Sequence, residues 1–389
     1  MATDVEPVPG GETIDLQQQV ARLQALLEAS RQVHSTIHEN DVLEQVLRIV
    51  VRELEMAGAA FPGAGLAYGE AAENGADGVA QPSFPLNDRD GRRMAELVVA
   101  TPEGRALTLY EADFLEGLAL QAAVALENAR NHRRNVEFAR LQQDLEAARD
   151  IQRSLLPQHP PAICGYSVAF RSATCYEVGG DYIDIVEQPG GRLLMAVADV
   201  AGKGLASAIM STSFRAAFRG MAATGLALGE LATRMNQHQW AEGEEARRRY
   251  VTAIFLQLDP QASEVEVVNA GHNPGFLLEP GVALREFRAA GTPLGLLPGV
   301  RYESERSCLM PGARLLLYTD GLTEVFKGDE EFGAERLLDA FTRCRATQAD
   351  GILDALWTAV EEFSGGSPQG DDMTALALCR GTGASETPE

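Results

Sequence analysis

An uninterrupted helical stretch near the middle of the chain constrains the fold most. Residues 111–156 contain one glycine, Gly117, and no proline over 46 positions. A single helix of that length spans ~69 Å at ~1.5 Å per residue, far more than a helix inside one small domain needs. The stretch therefore predicts two folded parts joined by a long connecting helix, which Pro157 ends.

The second half of this stretch carries apolar residues at the spacing of a helix–helix interface. Successive members lie 3, 4, 3, 3 and 4 residues apart: Phe138, Leu141, Leu145, Ala148, Ile151 and Leu155. The spacing is close to a coiled-coil heptad, with one short step that overwinds it locally. It predicts a dimeric connecting helix, with a monomeric helix lying on the C-terminal domain as the alternative. A shorter run has similar spacing: Leu16, Val20, Leu23 and Leu27. There a coiled coil and an amphipathic docking helix both remain open.

Charge and composition exclude several classes of protein. Asp and Glu number 56 against 33 Lys and Arg, a formal net charge of −23. Binding to nucleic acid or to an anionic membrane needs a cationic face and is not expected. No apolar run reaches the ~18 residues of a membrane span, and no signal-peptide pattern begins the chain, which predicts a cytoplasmic protein. Five cysteines without CxxC spacing predict neither disulfides nor a zinc site.

After Pro161 the sequence becomes rich in strand-forming segments. Strands are predicted at 166–173, 192–200, 250–258, 263–270, 313–320 and 373–379. Helices are predicted at 204–225, 228–242, 334–346 and 350–363. Strands at both ends with helices between them predict a layered α+β domain. Upstream, one strand is predicted at 94–101, whereas residues 58–91, rich in Gly, Ala and Asn, show little periodicity.

Four acidic motifs stand near the ends of predicted strands. They are EVGGDYID at 177–184, ADVAGKG at 198–204, YTDG at 318–321 and GDDMT at 370–374. A single Asp-Gly pair is ordinarily a plain turn, but carboxylates crowded together repel one another unless cations neutralise them. Oxygen ligands without Cys or His favour Mg²⁺ or Mn²⁺ over zinc. The four motifs together predict a two-ion site that activates a water and clamps a phosphoryl group.

Other phosphate chemistries fit the sequence poorly. The segment AGKG lacks the earlier glycine and the Ser or Thr of a Walker loop. Cys164 and Cys175 lack the nearby arginine of a cysteine-phosphatase loop. A GxSxG nucleophile elbow is absent from the sequence. Hydrolysis without a covalent phosphoenzyme is therefore expected.

The motifs, in their order, resemble a known family. The segments GGDYID, ADVAGKGLASAIMS, VNAGHNPGFLL, LLLYTDGLTEV and DDMTALAL are similar to the stage II sporulation protein E type of serine phosphatase. That group belongs to the metal-dependent phosphatase (protein phosphatase 2C) superfamily. The similarity runs from about Leu141 to Cys379. It implies an αββα sandwich with a binuclear Mn²⁺ or Mg²⁺ centre at one edge.

The same resemblance implies roles for individual residues. Asp199 would bridge both ions and Val200 would supply a backbone carbonyl. Asp181 would complete the shell of one ion, while Asp320 and Asp371 would hold the other. The catalytic residues are then expected to be Asp181, Asp199 and Asp320. Residues expected to support the ligands, meet phosphate or be purely structural are Asp184, Lys203 and Asp372. The triplet His272-Asn273-Pro274 is interpreted as a structural turn.

The N-terminal part resembles a GAF domain at its opening and closing helices. These are LQALLEASRQVHSTIHENDVLEQVLRIVVREL and LTLYEADFLEGLALQAAVALENARNH. The predicted plan is a disordered N-terminus (1–11), a helix (12–35), a GAF-like regulatory domain (36–130), a linker helix (131–158), a phosphatase domain (159–380) and a disordered tail (381–389).

The resemblance also implies a substrate and a partner. Phosphatases of this group act on phosphoserine or phosphothreonine in small anti-anti-sigma (STAS) proteins and so control partner-switching pathways for transcription. A homodimeric, metal-dependent protein phosphatase regulated by its N-terminal module is therefore expected. The alternative is a catalytically silent signalling scaffold that retains the fold. All four expected carboxylates are present, which favours the enzyme.

Overall fold

The computed structural model describes residues 10–69 and 81–382. They divide into two compact units, with the boundary between Gln142 and Gln143. Most of the two segments expected to be disordered, 1–11 and 381–389, lies outside the described residues. Residues 10 and 11 already belong to the first helix. Among the described residues, no helix combines the length and apolarity needed to cross a membrane.

The first unit combines helices with one small antiparallel sheet. Its elements are α1 (Gly10–Val33), α2 (Glu39–Glu53), β1 (Gly58–Phe61), β2 (Leu66–Gly69), β3 (Ser83–Asn87), β4 (Arg93–Ala100) and the first part of α3 (Leu109–Leu155). The strand order is β2-β1-β4-β3. Helix α2 buries an apolar face that includes Val46, Leu47 and Val50 in one core with the sheet and α3. The sheet is small, and the GAF resemblance of this unit stays a prediction.

Helix α3 is continuous from Leu109 to Leu155, close to the stretch predicted from the absence of proline. Its first part is buried in the core of the first unit, as expected from its apolar sequence. Further along, Phe138, Leu141 and Ile151 are 62%, 55% and 63% exposed. Part of the predicted seam therefore faces solvent in the single chain, and the coiled coil stays a prediction.

The second unit is an αββα sandwich, which confirms the predicted fold class. Its elements are β5 (Tyr166–Ala173), β6 (Tyr182–Gln188), β7 (Arg192–Val200), α4 (Leu205–Ala222), α5 (Leu228–Ala241), α6 (Glu244–Arg247), β8 (Val251–Asp259), β9 (Glu264–Ala270), β10 (Gly275–Leu278), β11 (Arg285–Phe287), β12 (Glu305–Cys308), β13 (Arg314–Tyr318), β14 (Phe326–Lys327), β15 (Glu330–Glu331), α7 (Gly333–Arg343), α8 (Ala349–Ser364) and β16 (Met373–Arg380). Two five-stranded sheets have the orders β11-β10-β13-β16-β5 and β12-β9-β8-β7-β6, and β14 and β15 form a separate hairpin.

Strand β7 shows how the sequence builds the layers. Met195 and Val197 belong to the core between the two sheets, whereas Ala196 and Ala198 belong to the core beneath α4 and α5. Because both faces are buried, the strand is almost continuously apolar. Side chains alternate along a strand, so Asp199 shares the face of Val197. The strand therefore directs this aspartate toward the opposing sheet, at the edge of the sandwich.

Candidate metal centre

Four aspartates meet at one edge of the sandwich because the strands that carry them begin or end there. In one sheet, Asp181 directly precedes β6 and Asp199 lies near the end of the paired strand β7. In the other sheet, Asp320 follows β13, and Asp371 precedes the paired strand β16. A hydrogen bond joins the two sheets at this edge, since the Thr319 hydroxyl donates to Asp181 Oδ2 at 2.8 Å.

The electrostatics of this edge are those of crowded carboxylates. The pKa of Asp199 is raised to about 7, first by burial and then by the nearby negative charges of Asp320, Asp371, Asp372 and Glu324. The pKa of Asp181 is well above its usual value because the side chain is buried and because Asp199 is close. Burial, then the charge of Asp371, also raises the pKa of Asp320. Each carboxylate thus opposes ionisation of its neighbours.

Asp372 holds the backbone around the cluster. Its Oδ1 accepts a hydrogen bond from the Cys175 amide and its Oδ2 accepts one from the Gly180 amide, both at 2.7 Å. A Cβ on Gly321 would lie 1.9 Å from the Asp372 carbonyl oxygen, so this close approach requires glycine. A Cβ on Gly180 would lie 3.0 Å from the carbonyl oxygen of Val200. The predicted carbonyl ligand Val200 therefore lies beside this loop.

Lys203 also belongs to the acidic edge. Its Nζ lies 2.8 Å from Asp371 Oδ2 and donates to the Gly370 carbonyl oxygen at 2.8 Å. The hydrogen bond to Asp371 raises the pKa of Lys203. One of the two lysines in the chain thus offsets part of the negative charge and orients Asp371.

Asp184 lies apart from this cluster. It is fully buried and accepts two hydrogen bonds from Arg219 of α4, at 2.6 and 2.7 Å. The Tyr182 hydroxyl donates to the same carboxylate at 2.5 Å. Asp184 shares the helix-facing side of β6 with Tyr182 and is satisfied by a structural ion pair. Of the three possible supporting residues, Lys203 and Asp372 join the acidic edge and Asp184 does not.

The triplet at 272–274 forms a turn that the Asn269 side chain stabilises, in agreement with its structural interpretation. Asn269 accepts from the His272 amide at 2.8 Å and donates to the Asn273 carbonyl oxygen at 3.1 Å. The His272 ring is buried, and its Nδ1 lies 2.7 Å from the Thr252 hydroxyl. Thr252 pairs with Asp199 across β7 and β8. The contact between His272 and Thr252 therefore connects this turn to the strand that neighbours Asp199.

The free energy of unfolding is expected to depend on pH through His272. Burial lowers its pKa to about 4, against ~6.5 in an unfolded chain. Because the fold favours the neutral ring, His272 contributes to the free energy of unfolding. That contribution is complete above pH ~6.5 and is lost as the pH falls toward ~4. Between pH 7 and 4.5 the loss is ~2–3 kcal/mol. The difference in urea-unfolding free energy between the wild type and His272→Gln, compared at the two pH values, isolates this loss from the titration of Asp199, whose pKa is raised into the same range.

The matched control for this prediction is an exposed histidine. The His272→Gln variant should lose less stability between the two pH values than the wild type, while His159→Gln should behave like the wild type because His159 is exposed. Equal pH dependence in the wild type and His272→Gln would contradict a neutral buried ring.

Two residues at the edge were not identified from the sequence. Thr319 is fully buried and bonds Asp181 as described. Glu324 lies one turn after Asp320, to whose carbonyl oxygen its amide donates at 2.7 Å, and burial and the nearby carboxylates raise its pKa. Both flank Asp320 in the segment YTDGLTE. Glu324 could have been found from the sequence as a second acidic residue in that segment, and so as a fifth acid of the site. A threonine carries no such signal.

The donor set at this edge fits a hard divalent cation. It consists of carboxylate oxygens with one adjacent backbone carbonyl, the ligands that Mg²⁺ and Mn²⁺ prefer. The raised pKa values indicate negative charge that a cation would stabilise. Within residues 10–69 and 81–382, no three Asp, Glu, His or Cys side chains are already grouped as ligands of a single ion. The donor chemistry and the charge, rather than a finished coordination shell, support the metal assignment.

Comparison with known proteins gives an independent view of this unit. The family model described as stage II sporulation protein E (SpoIIE) matches residues 189–381. The phosphoserine phosphatase RsbP of Bacillus subtilis (strain 168) is 27% identical over 183 residues, covering 46% of this chain and 45% of RsbP. The phosphoserine phosphatase RsbU of the same organism is 23% identical over 185 residues, covering 47% of this chain and 54% of RsbU. The chain spans about half the length of these curated relatives.

A solved structure has the same architecture. The PP2C domain of SiaA from Pseudomonas aeruginosa superposes with a TM-score of 0.55 at 23% identity, covering 62% of this chain and 98% of that domain. At this identity the likeness establishes the fold. It agrees with the αββα sandwich described above.

Proposed function

We propose that this chain hydrolyses phosphoserine or phosphothreonine in a protein substrate, because residues 189–381 match the family model described as stage II sporulation protein E (SpoIIE). Two divalent cations, Mn²⁺ or Mg²⁺, would be its cofactors. The observation that carries the proposal is the acidic edge, where two sheets bring together Asp181, Asp199, Asp320 and Asp371. A catalytically silent scaffold would have no need of four mutually repelling carboxylates.

The proposed roles of the ligands follow from their positions. Asp199 lies among the other carboxylates and would bridge both ions, with the carbonyl of Val200 beside it. Asp181 would complete the shell of one ion, and Asp320 and Asp371 would hold the other. When bound, two such cations lower the pKa of a water molecule and clamp the phosphoryl group.

The remaining residues orient these ligands. The Thr319 hydroxyl fixes one oxygen of Asp181, and Lys203 fixes one oxygen of Asp371. Cys175 lies beside the cluster, where burial and then the charge of Asp372 raise the pKa of its thiol. A protonated thiol is a poor nucleophile. This supports hydrolysis by water rather than through a covalent cysteinyl phosphate.

The proposal is tested by phosphate release from a phosphoserine protein. The full chain should release phosphate in the presence of Mn²⁺, and an excess of chelator should abolish release. Phosphate release that is unaffected by chelation would contradict a metal-dependent enzyme. Complete inactivity of a folded, Mn²⁺-loaded chain toward phosphorylated STAS proteins would favour the silent scaffold.

We further propose that the substrate is a phosphorylated anti-anti-sigma (STAS) protein in a partner-switching pathway, and that the GAF-like unit regulates its dephosphorylation. Support comes from the order of the motifs and from the similarity to the phosphoserine phosphatases RsbP and RsbU. The strongly acidic chain disfavours an acidic partner except at the metal edge, where cations offset the carboxylates.

The proposed homodimer would form through the exposed apolar residues of α3. Placing a charge in the seam with Leu141→Glu should therefore shift the full chain from dimer to monomer in light scattering, because a buried unpaired carboxylate is costly. The matched control is Gln142→Glu, which adds the same charge at the neighbouring exposed position and should leave the dimer intact. A wild type that is already monomeric would contradict the prediction.

A further inference from the structure

The last turns of α3 contact the loop beside the acidic edge through one side chain. Gln152 Nε2 donates to the Gly179 carbonyl oxygen at 2.7 Å, and the Gly179 amide donates to Gln152 Oε1 at 3.1 Å. The two bonds pair one side-chain amide with both polar groups of one backbone residue. Such paired bonds fix the orientation of the backbone as well as its distance. Asp181 follows Gly179 by only two residues.

The segment held by Gln152 has little intrinsic rigidity. Gly179 and Gly180 are adjacent glycines, which lose more conformational freedom on ordering than any other residue. A Cβ at Gly179 would lie 2.4 Å from Asp372 Oδ2, so a side chain at this position would displace that carboxylate. The Gly180 amide donates to that same oxygen. Asp372 therefore holds the glycine pair through Gly180, and Gln152 holds it through Gly179.

The end of α3, which belongs to the second unit, is held by a further hydrogen bond. Arg215 of α4 donates from Nε to the Leu155 carbonyl oxygen at 3.0 Å. A void of only ≈ 30 Å³ is lined by residues that include Gln152, Arg215 and Asp181, room for about one water molecule. A displacement of the helix end would therefore act on the loop that carries Asp181.

We propose that Gln152 is a positioning residue of the metal site. It holds Gly179 and Gly180 so that Asp181 points into the acidic edge, and it couples the position of the α3 end to that geometry. The inference rests on the proposed function, because the affinity it controls is that for the divalent cations. A residue that only packs the helix would instead affect the stability of the fold and leave the cation affinity unchanged.

The test compares Gln152→Met with Gln143→Met in the full chain. Methionine keeps the length of glutamine and removes both hydrogen bonds, and Gln143 is an exposed residue on the same helix. In metal-free protein, hydrogen exchange of the amides at 175–181 should become about tenfold faster in Gln152→Met only, because the two lost bonds together stabilise the loop by roughly the ~1.4 kcal/mol that a factor of ten represents. Calorimetry should show about tenfold weaker Mn²⁺ binding in the same variant.

A kinetic measurement separates positioning from general damage. Saturating Mn²⁺ should restore the kcat of Gln152→Met to near the wild-type value, since the ligands themselves are intact. Gln152→Ala provides a second variant and should show the same pattern. If the wild type binds Mn²⁺ and Gln152→Met matches it in exchange and affinity, the inference is overturned while the proposed function stands. If the wild type binds no Mn²⁺, the proposed function fails and the inference fails with it.

Discussion

Replacing Asp199 by asparagine is expected to reduce Mn²⁺-dependent phosphate release by about 10³-fold or more. The substitution keeps the shape of the side chain and removes one negative charge at the position proposed to bridge both ions. Metal stabilisation of transition-state charge amounts to several kcal/mol, and each ~1.4 kcal/mol is a factor of ten in rate. Asp320→Asn should have an effect of similar size. Steady-state phosphate release from a phosphoserine protein measures both variants.

The fold should survive these substitutions. Because burial and neighbouring charges raise the pKa values of Asp199 and Asp320, neutral asparagine should not lower the unfolding temperature of metal-free protein. The matched control is Asp339→Asn, the same chemical change at an exposed residue of α7, which should keep full activity. Near-normal activity of Asp199→Asn or Asp320→Asn at saturating Mn²⁺ would show that the residue is not a ligand.

A folded phosphorylated STAS protein is expected to be a better substrate than a phosphopeptide cut from it, by about 100-fold in kcat/KM. A short phosphoester lacks the protein contacts whose binding energy orders the site and lowers the barrier. A factor of 100 corresponds to ~2.7 kcal/mol, the contribution of a few interface contacts. Phosphate release from the two substrates at equal Mn²⁺ measures the ratio.

The control for this comparison is an unrelated folded phosphoserine protein, which should react as slowly as the peptide. A general preference for folded substrates would raise both proteins together. Equal kcat/KM for the STAS protein and its own peptide would mean that the folded domain is not recognised. The partner-switching assignment would then lose its main support.

The sandwich could be predicted largely because its central strands are buried on both faces. Strand β7 has the predicted bounds, 192–200, since its nearly continuous apolar run leaves no other placement. The strands β1, β2 and β3 were missed within 58–91 because each has five residues or fewer and the stretch is rich in Gly and Ala. Such short strands are specified by their neighbours in the sheet and by the α2 and α3 faces rather than by local pattern.

The candidate site was predicted in outline because its carboxylates stand next to glycines or directly after apolar strand segments, a pattern that is visible in the sequence. Asp184 was grouped with the other acids through its motif, although it lies three positions from Asp181 and side chains alternate along a strand. An odd separation places the two side chains on opposite faces of the sheet. In the structure Asp184 accordingly lies on the helix-facing side and forms an ion pair with Arg219. Gln152 was not predicted, since a glutamine on an amphipathic helix carries no signal of a tertiary partner 27 residues away.

Calorimetric titration of the metal-free full chain with Mn²⁺ tests the two-ion site most directly. The proposed site predicts about two ions bound per chain, with release of protons as carboxylates of raised pKa ionise. Asp199→Asn should weaken or abolish this binding, while Asp339→Asn should not. A folded wild-type chain that binds no Mn²⁺ and no Mg²⁺ would contradict the metal centre, and with it the proposed phosphatase.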